Sequence, residues 1–147
     1  PLGQGTLSLG LRGSYLMQFE TTTLPGVSSS VIRYDGGYQN PRFRATLFTS
    51  YVFGDWDIAL DTRFWSSAKL YPNAKTDEEY DDNRVGAQIY NDLSVGWQMS
   101  DHVTFRSGIN NVRDVDAPYH PGTYYQGGGG VYDVYGRYFF GSVKFTF

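Results

Sequence analysis

Apolar and polar residues alternate with period two over most of the chain. Across residues 6–19, Leu7, Leu9, Leu11, Gly13, Tyr15, Met17 and Phe19 fall on one face, opposite Thr6, Ser8, Gly10, Arg12, Ser14, Leu16 and Gln18. Successive side chains of an extended backbone point to opposite sides, so this pattern predicts a long strand. A polar stretch runs through Asn40, after which Phe43, Ala45, Leu47, Thr49, Tyr51 and Phe53 alternate with Arg42, Arg44, Thr46, Phe48, Ser50 and Val52. Trp56, Ile58, Leu60, Thr62 and Phe64 then oppose Asp57, Ala59, Asp61, Arg63 and Trp65. Beyond a second polar stretch, 66 to about 86, Ile89, Asn91, Leu93, Val95, Trp97 and Met99 face away from Gln88, Tyr90, Asp92, Ser94, Gly96 and Gln98, and Asn91 is the one polar intruder. Val103, Phe105, Ser107 and Ile109 follow. A third long connection, 111 to about 132, contains four consecutive glycines from Gly127, and Phe139, Gly141, Val143, Phe145 and Phe147 close the chain opposite Tyr138, Phe140, Ser142, Lys144 and Thr146. Six strands without helical periodicity or a linker predict a single all-β unit over 1–147.

Parity tests the turns. The apolar set changes from odd to even numbers across Gly54-Asp55, so a two-residue loop pairing Phe53 with Trp56 keeps both sets on one side. It stays odd across Ser100-Asp101-His102, which predicts a three-residue loop pairing Met99 with Val103 and Trp97 with Phe105.

Charge separates the two faces. The apolar face carries none, while the other carries Arg12, Arg42, Arg44, Arg63, Arg106 and Lys144 with Asp57, Asp61 and Asp92. Strands of ten residues, at roughly 3.3 Å each and tilted by about 45°, span roughly 23 Å, close to the apolar band of a transmembrane barrel. Ordinary sheet strands run about 5–6 residues. Rings crowd the ends of the apolar face: Tyr51, Phe53, Trp56, Trp97, Phe145 and Phe147 at one, Tyr15, Phe19, Phe43, Phe64 and Phe139 at the other. Amphipathic rings favour the headgroup zone, so these read as two girdles. Short turns then lie on the periplasmic side with both termini, and the three long connections outside. Six strands are fewer than the eight of small closed barrels, which predicts a sector of a larger antiparallel up-and-down wall.

Composition narrows the alternatives. With 13 Tyr, 10 Phe, 3 Trp and 18 Gly, the chain favours strand over helix. A net charge of −3 argues against nucleic acid as a partner. The absence of cysteine excludes disulfides, thiolate nucleophiles and cysteine metal sites. The start at Pro1-Leu2-Gly3, without Met or a leader, is expected of a mature or cut piece.

Three segments resemble the barrel of TonB-dependent outer-membrane receptors. Tyr132-Asp133-Val134-Tyr135-Gly136-Arg137-Tyr138-Phe139-Phe140-Gly141-Ser142-Val143-Lys144-Phe145-Thr146-Phe147 resembles their last strand. Gly108-Ile109-Asn110-Asn111-Val112-Arg113-Asp114-Val115-Asp116-Ala117-Pro118 is similar to their penultimate strand and loop, usually Gly-x-Asn-Asn-Leu-Phe-Asp-x-x-Pro-Pro, with Arg113 replacing the aromatic and Ala117 the first Pro. Asn40-Pro41-Arg42-Phe43-Arg44 is similar to a further family pattern. The resemblance implies a 22-stranded barrel in the bacterial outer membrane around an N-terminal plug. It also implies active import of a scarce solute (siderophore, vitamin, carbohydrate or aromatic compound) driven by the TonB complex. This chain is then expected to be the C-terminal six strands, partnered by the N-terminal remainder with its plug and TonB box, by that remainder's TonB complex, by outer-membrane lipid and by a small-molecule substrate. No cofactor is implied. Phe139, Val143, Phe145 and Phe147 resemble the terminal signature that barrel-assembly machinery recognises, by capture of an apolar edge strand. The rival readings are a passive porin wall and a soluble ligand-binding barrel.

Catalytic groupings are not visible. His102 and His120 are far apart, and Asp57 and Asp61, four residues apart on one strand face, stand roughly 13 Å apart by rise, too far for paired-carboxylate chemistry. The run Asp77, Glu78, Glu79, Asp81 and Asp82 lacks the order of a calcium loop and reads as solvated. Solute contact falls to the aromatics of the connections, Trp65, Tyr71, Tyr119, His120, Tyr124 and Tyr125, whose rings stack on sugars and aromatic acids alike; loop packing is the other use for them. Arg12, Arg42, Arg44, Arg63, Arg106 and Lys144 either guide an anionic solute or pair with plug and lumenal carboxylates, and Asp57 and Asp61 are expected to partner lumenal arginines.

Overall fold

The computed structural model describes residues 4–74, 83–119 and 131–147. In chain order its strands are β1 (Thr6–Tyr15), β2 (Glu20–Thr22), β3 (Val31–Arg33), β4 (Phe43–Phe53), β5 (Trp56–Trp65), β6 (Ala68–Lys69), β7 (Arg84–Val85), β8 (Gln88–Ser100), β9 (Val103–Asn110) and β10 (Tyr138–Phe145). The six long ones form one antiparallel sheet in the order β1-β4-β5-β8-β9-β10, a meander without crossovers. The short pairs β2-β3 and β6-β7 are separate ribbons inside the first and second long connections, where the polar sequence predicts no strand.

Register confirms the two faces. One row of partners runs Leu7, Tyr51, Ile58, Val95, Ser107, Gly141, and the next parallel row of the same face runs Leu9, Thr49, Leu60, Leu93, Ile109, Phe139. Every member belongs to the uncharged set. Rings pair along this face at the short-turn end, where Trp56 stacks on Trp97 at 5.4 Å and Trp97 on Phe105 at 6.0 Å, and at the other end, where Phe43 and Phe64 lie 6.0 Å apart. Asn91, the polar intruder, donates to the Thr62 hydroxyl at 2.8 Å, so the outward amide is paired within the sheet. The strand ends are staggered. Above the Leu7 row β1 continues eight residues to Tyr15, but β10 only three to Tyr138; below it β1 has one residue left and β10 four.

The first turn is as the parity predicts: Phe53 pairs with Trp56, and Gly54 takes φ 53° in the glycine-first form of the tight hairpin. The second differs. Ser100, not Met99, pairs with Val103, leaving a two-residue turn, and the register shifts between Gln98 and Ser100. Met99 is the extra residue of a bulge, and a bulge restores the parity that a two-residue turn would break, so Trp97 still meets Phe105. The first strand is also shorter than its alternation. After Tyr15, Leu16 N–H donates to Arg42 C=O at 2.7 Å and the chain leaves the ladder. Met17 and Phe19 are therefore outside the wall, and Phe19 packs on Tyr34 at 5.2 Å in the first connection instead of joining a girdle.

Hydrophobic burial among the described residues lies on the charged side of the sheet, at its long-connection end. Tyr38, Ala68, Val85, Tyr90, Ala117 and Tyr132 are buried together, with Trp65, Leu70, Val115 and Val131 against them. Tyr90 and Trp65 come from the wall and the rest from all three connections. The core is thus a plug of loops seated on one end of the inner face.

Candidate functional site

Arg63 organises this end. On the inner face of β5 it donates to Asp92 on β8 (2.8 and 3.2 Å) and to Asp133 of the third connection (3.1 and 2.6 Å). Its guanidinium lies 5.3 Å from the centres of both the Trp65 and the Tyr90 ring. Planar geometry lets one arginine serve two carboxylates edge-on and two rings face-on. Asp92 also accepts the Asn111 N–H at 2.8 Å. Asn111 is fully buried at φ 51°, and its side chain clamps Val115 by accepting its N–H (2.9 Å) and donating to its C=O (2.8 Å). Asparagine tolerates left-handed backbone and its amide replaces a turn's own bonds, which accounts for the Asn-Asn of the motif as a loop anchor. Asp114, at φ 55°, accepts the Arg137 N–H at 2.8 Å and ties the start of the third connection to its end.

The connections are bonded to one another. The Tyr38 hydroxyl donates to Pro118 C=O at 2.7 Å, and the Tyr38 and Tyr132 rings lie 5.0 Å apart. The Tyr132 hydroxyl is buried without a hydrogen-bond partner among the described residues, and burial pushes its pKa up to about 12. The Asn73 amide accepts Arg33 N–H and donates to Arg33 C=O, both at 2.8 Å, while Asn83 does the same for Tyr71 at 2.7 and 3.1 Å. Lys69 N–H donates to Gly36 C=O at 2.8 Å. Where the first two connections meet they enclose a cleft of about 590 Å³ whose wall includes Arg33, Asp35, Arg42, Lys69, Asn83 and Arg84.

The inner-face charges take several roles. Arg106 on β9 reaches across Gly96 on β8 to Asp57 on β5 (2.9 and 3.1 Å), and a Cβ at Gly96 would collide with that carboxylate. Glycine there makes room for an ion pair that spans three strands. Arg12 lies 5.5 Å above the Phe48 ring, and Arg44 donates to Gln39 C=O at 3.1 Å. Asp61 stands opposite Asp92 on the same face, and Lys144 is exposed near the short-turn end of β10. Arg42 departs from expectation. It precedes β4 and turns into the first connection, where it pairs with Asp35 and donates to Met17 C=O at 3.1 Å. Asp35 also accepts the Phe19 N–H at 3.1 Å; that backbone bond, with Arg42 beside it, holds its carboxyl below the usual range.

Of the aromatics expected to meet solute, Trp65 is engaged edge-on with Tyr90 at 5.3 Å and by Arg63, Tyr71 is held through its backbone by Asn83, and Tyr119 is exposed. His120, Tyr124 and Tyr125, and the acidic run Asp77 to Asp82, lie outside the described residues. The sequence reading missed Tyr38, Asp35, Asn83, Tyr90, Tyr132 and Asp133 as organising residues. Only Asn111 had a signal, in its motif.

A family model described as TonB dependent receptor-like, beta-barrel matches residues 3–112, well over half the chain. No curated protein and no solved structure matches. The matched segment holds β1 to β9, with their uncharged outer rows and charged inner face. The chain therefore belongs to the TonB-dependent receptor β-barrel family, a family of outer-membrane receptors and transporters and not of enzymes.

Proposed function

We propose that this chain is the C-terminal wall sector of an active transporter that takes a scarce solute across the outer membrane, its strands completed by an N-terminal remainder that carries plug and TonB box. The observation that carries the reading is the division of the sheet into one face without charge and one face with ion pairs, capped at a single end by interlocked connections. Lipid suits the first face, and a water-filled lumen with a plug suits the second. The cap is where an arriving solute first meets the protein. Tyr119, with Trp65, Tyr71, His120, Tyr124 and Tyr125, supplies rings for stacking, and Arg12, Arg44 and Lys144 supply positive charge towards the plug. Phe139, Val143, Phe145 and Phe147 act in assembly as an edge strand offered for capture.

The test is uptake. Cells that depend on the receptor for a growth-limiting solute should lose uptake when TonB is deleted, with the amount of folded receptor unchanged. Uptake that persists without TonB and follows the external concentration would identify a passive channel and overturn the proposal.

A further inference from the structure

The two carboxylates on Arg63 are held unequally. Asp92 is fixed in register on β8 and accepts the Asn111 N–H as well. Asp133 belongs to a connection, and among the described residues its side chain bonds Arg63 alone, at 3.1 and 2.6 Å. The next hydrogen bond of its segment among those residues is four positions on, where Arg137 N–H donates to Asp114. The Arg63 and Asp133 side chains each keep 24% exposure, so solvent reaches the contact. Two orphaned groups adjoin it. The Tyr90 and Tyr132 hydroxyls are buried without a hydrogen-bond partner among the described residues. Buried hydroxyls almost always have partners, because the bonds lost with water are otherwise not replaced. Tyr132 precedes Asp133 in the chain, and the Tyr90 hydroxyl lies beside the Asp133 backbone without meeting hydrogen-bond geometry.

We propose that Asp133 holds the place of a ligand: a hydroxylated monocarboxylate displaces it from Arg63, lifts residues 131–137 from the inner face and gives the Tyr90 and Tyr132 hydroxyls the partners they lack. Arg63 keeps Asp92 throughout, so one edge of its fork stays filled while the other passes from Asp133 to the incoming carboxylate. The exchange is charge for charge. Asp61 already stands opposite Asp92, and a ligand bringing two negative charges would be repelled. Phenol hydroxyls donate as well as accept, which suits hydroxyl groups beside the carboxylate. A tethered carboxylate competes at an effective concentration on the order of millimolar, so these added bonds decide whether a free one wins. That the ligand is the transported solute rests on the transporter reading; the displacement does not.

The experiment is calorimetric titration of the folded receptor in detergent with gluconate, and with sorbitol, which has the hydroxyls without the carboxylate. Gluconate should bind wild-type protein saturably and sorbitol should not. Asp133→Asn, which removes the competing charge, should tighten gluconate binding about tenfold, the worth of one charge-assisted contact. Asp57→Asn removes a carboxylate from the Arg106 pair on the same face and should leave the affinity unchanged. Hydrogen exchange read by mass spectrometry should show residues 131–137 losing protection when gluconate is bound to wild type. Unaltered heat-modifiable mobility checks the fold of each variant. The proposal is overturned by an absence of gluconate binding to wild type, by equal affinity in wild type and Asp133→Asn, or by equal tightening in Asp57→Asn. Sorbitol binding as tightly as gluconate, or gluconate binding that leaves the exchange of 131–137 unchanged, overturns it too. No energy source enters the titration, so failure of TonB-dependent uptake would leave this result standing.

Discussion

Arg63 joins what the chain keeps far apart. Asp92 is 29 residues away and Asp133 is 70, yet both carboxylates end on one guanidinium whose side chain is 24% exposed. Replacing it by Ala leaves two carboxylates facing each other with no cation between them. We expect Arg63→Ala to cost about 2–3 kcal/mol, because removing one member of a half-buried charged network strands the others. Arg137→Ala, which breaks an exposed pair at 3.5 Å, should cost less than about 1 kcal/mol. Urea unfolding in detergent measures both, and equal losses would deny Arg63 its linking role. Asp35 makes a pH prediction. Its folded pKa lies below the unfolded value of 3.8, so the carboxylate contributes stability above that value and loses it as pH falls through the lower folded value. Thermal unfolding followed downwards from pH 5 should show wild type losing its advantage over Asp35→Asn. A gap that widens below pH 3.8 would contradict the assignment.

Within single strands, one face should tolerate what the other does not. Leu9 and Ser8 are adjacent on β1, and register places Leu9 in an uncharged row. Arg at Leu9 should cost about 2–4 kcal/mol where it meets the bilayer interior, and Arg at Ser8 far less. Liposome refolding titrations compare the two, and similar costs would mean that the outer face is misassigned. The β8 bulge predicts a contrast between deletions. Removing Met99 leaves Gln98 opposite Thr104 and lets Ser100 follow directly opposite Val103, whereas removing Val95 shifts one half of β8 against both neighbours and turns its side chains over. The Met99 deletion should still yield heat-modifiable folded protein, and the Val95 deletion should not.

These elements also show what the sequence could reveal. Period two is a local signal repeated over many residues, so the long strands, their faces and the Gly54 turn were readable. The Met99 bulge was not, since a three-residue loop and a two-residue turn with a bulge produce the same parity. β2, β3, β6 and β7 are two or three residues each, too short for any period to register, and they exist because long-range bonds such as Asn73 to Arg33 hold them. The loop core was illegible for the same reason. Tyr38 and Tyr132 look like any of the 13 tyrosines until three connections fold over Tyr90. The family match covers 3–112 and so rests on the alternating strands, while the resemblance of the tail lies beyond it.

At the scale of the molecule, β1 and β10 are exposed along both faces over their whole lengths, and each has one neighbour among the described residues. Their outer backbone groups require partners that hydrocarbon does not supply, at several kcal/mol each. The 147-residue chain produced alone should therefore give no stable closed monomer in detergent, and co-refolding with complementary strands should restore heat-modifiable mobility on gels. A closed monomer of this chain alone, seen by light scattering, would end that idea.

The stagger of the strand ends carries the barrel's slope. Across five strand-to-strand steps the ends slip by five residues at the long-connection edge and three at the other. With a rise of about 3.3 Å and a spacing of about 4.8 Å, that is a slant of roughly 20–35°, approaching the tilt of membrane barrels. A hydrogen-bonded row is then a ramp through the bilayer. Leu9 is the fourth residue of β1 and Phe139 only the second of β10 from the opposite edge, although both stand in one row. On the barrel reading proposed above, the leucine is expected in the acyl interior and its distant row-mate among the outer headgroups as a girdle ring. Depth in the membrane belongs to a residue's place along its own strand, and an arginine scan along one row would trace the thickness of the bilayer.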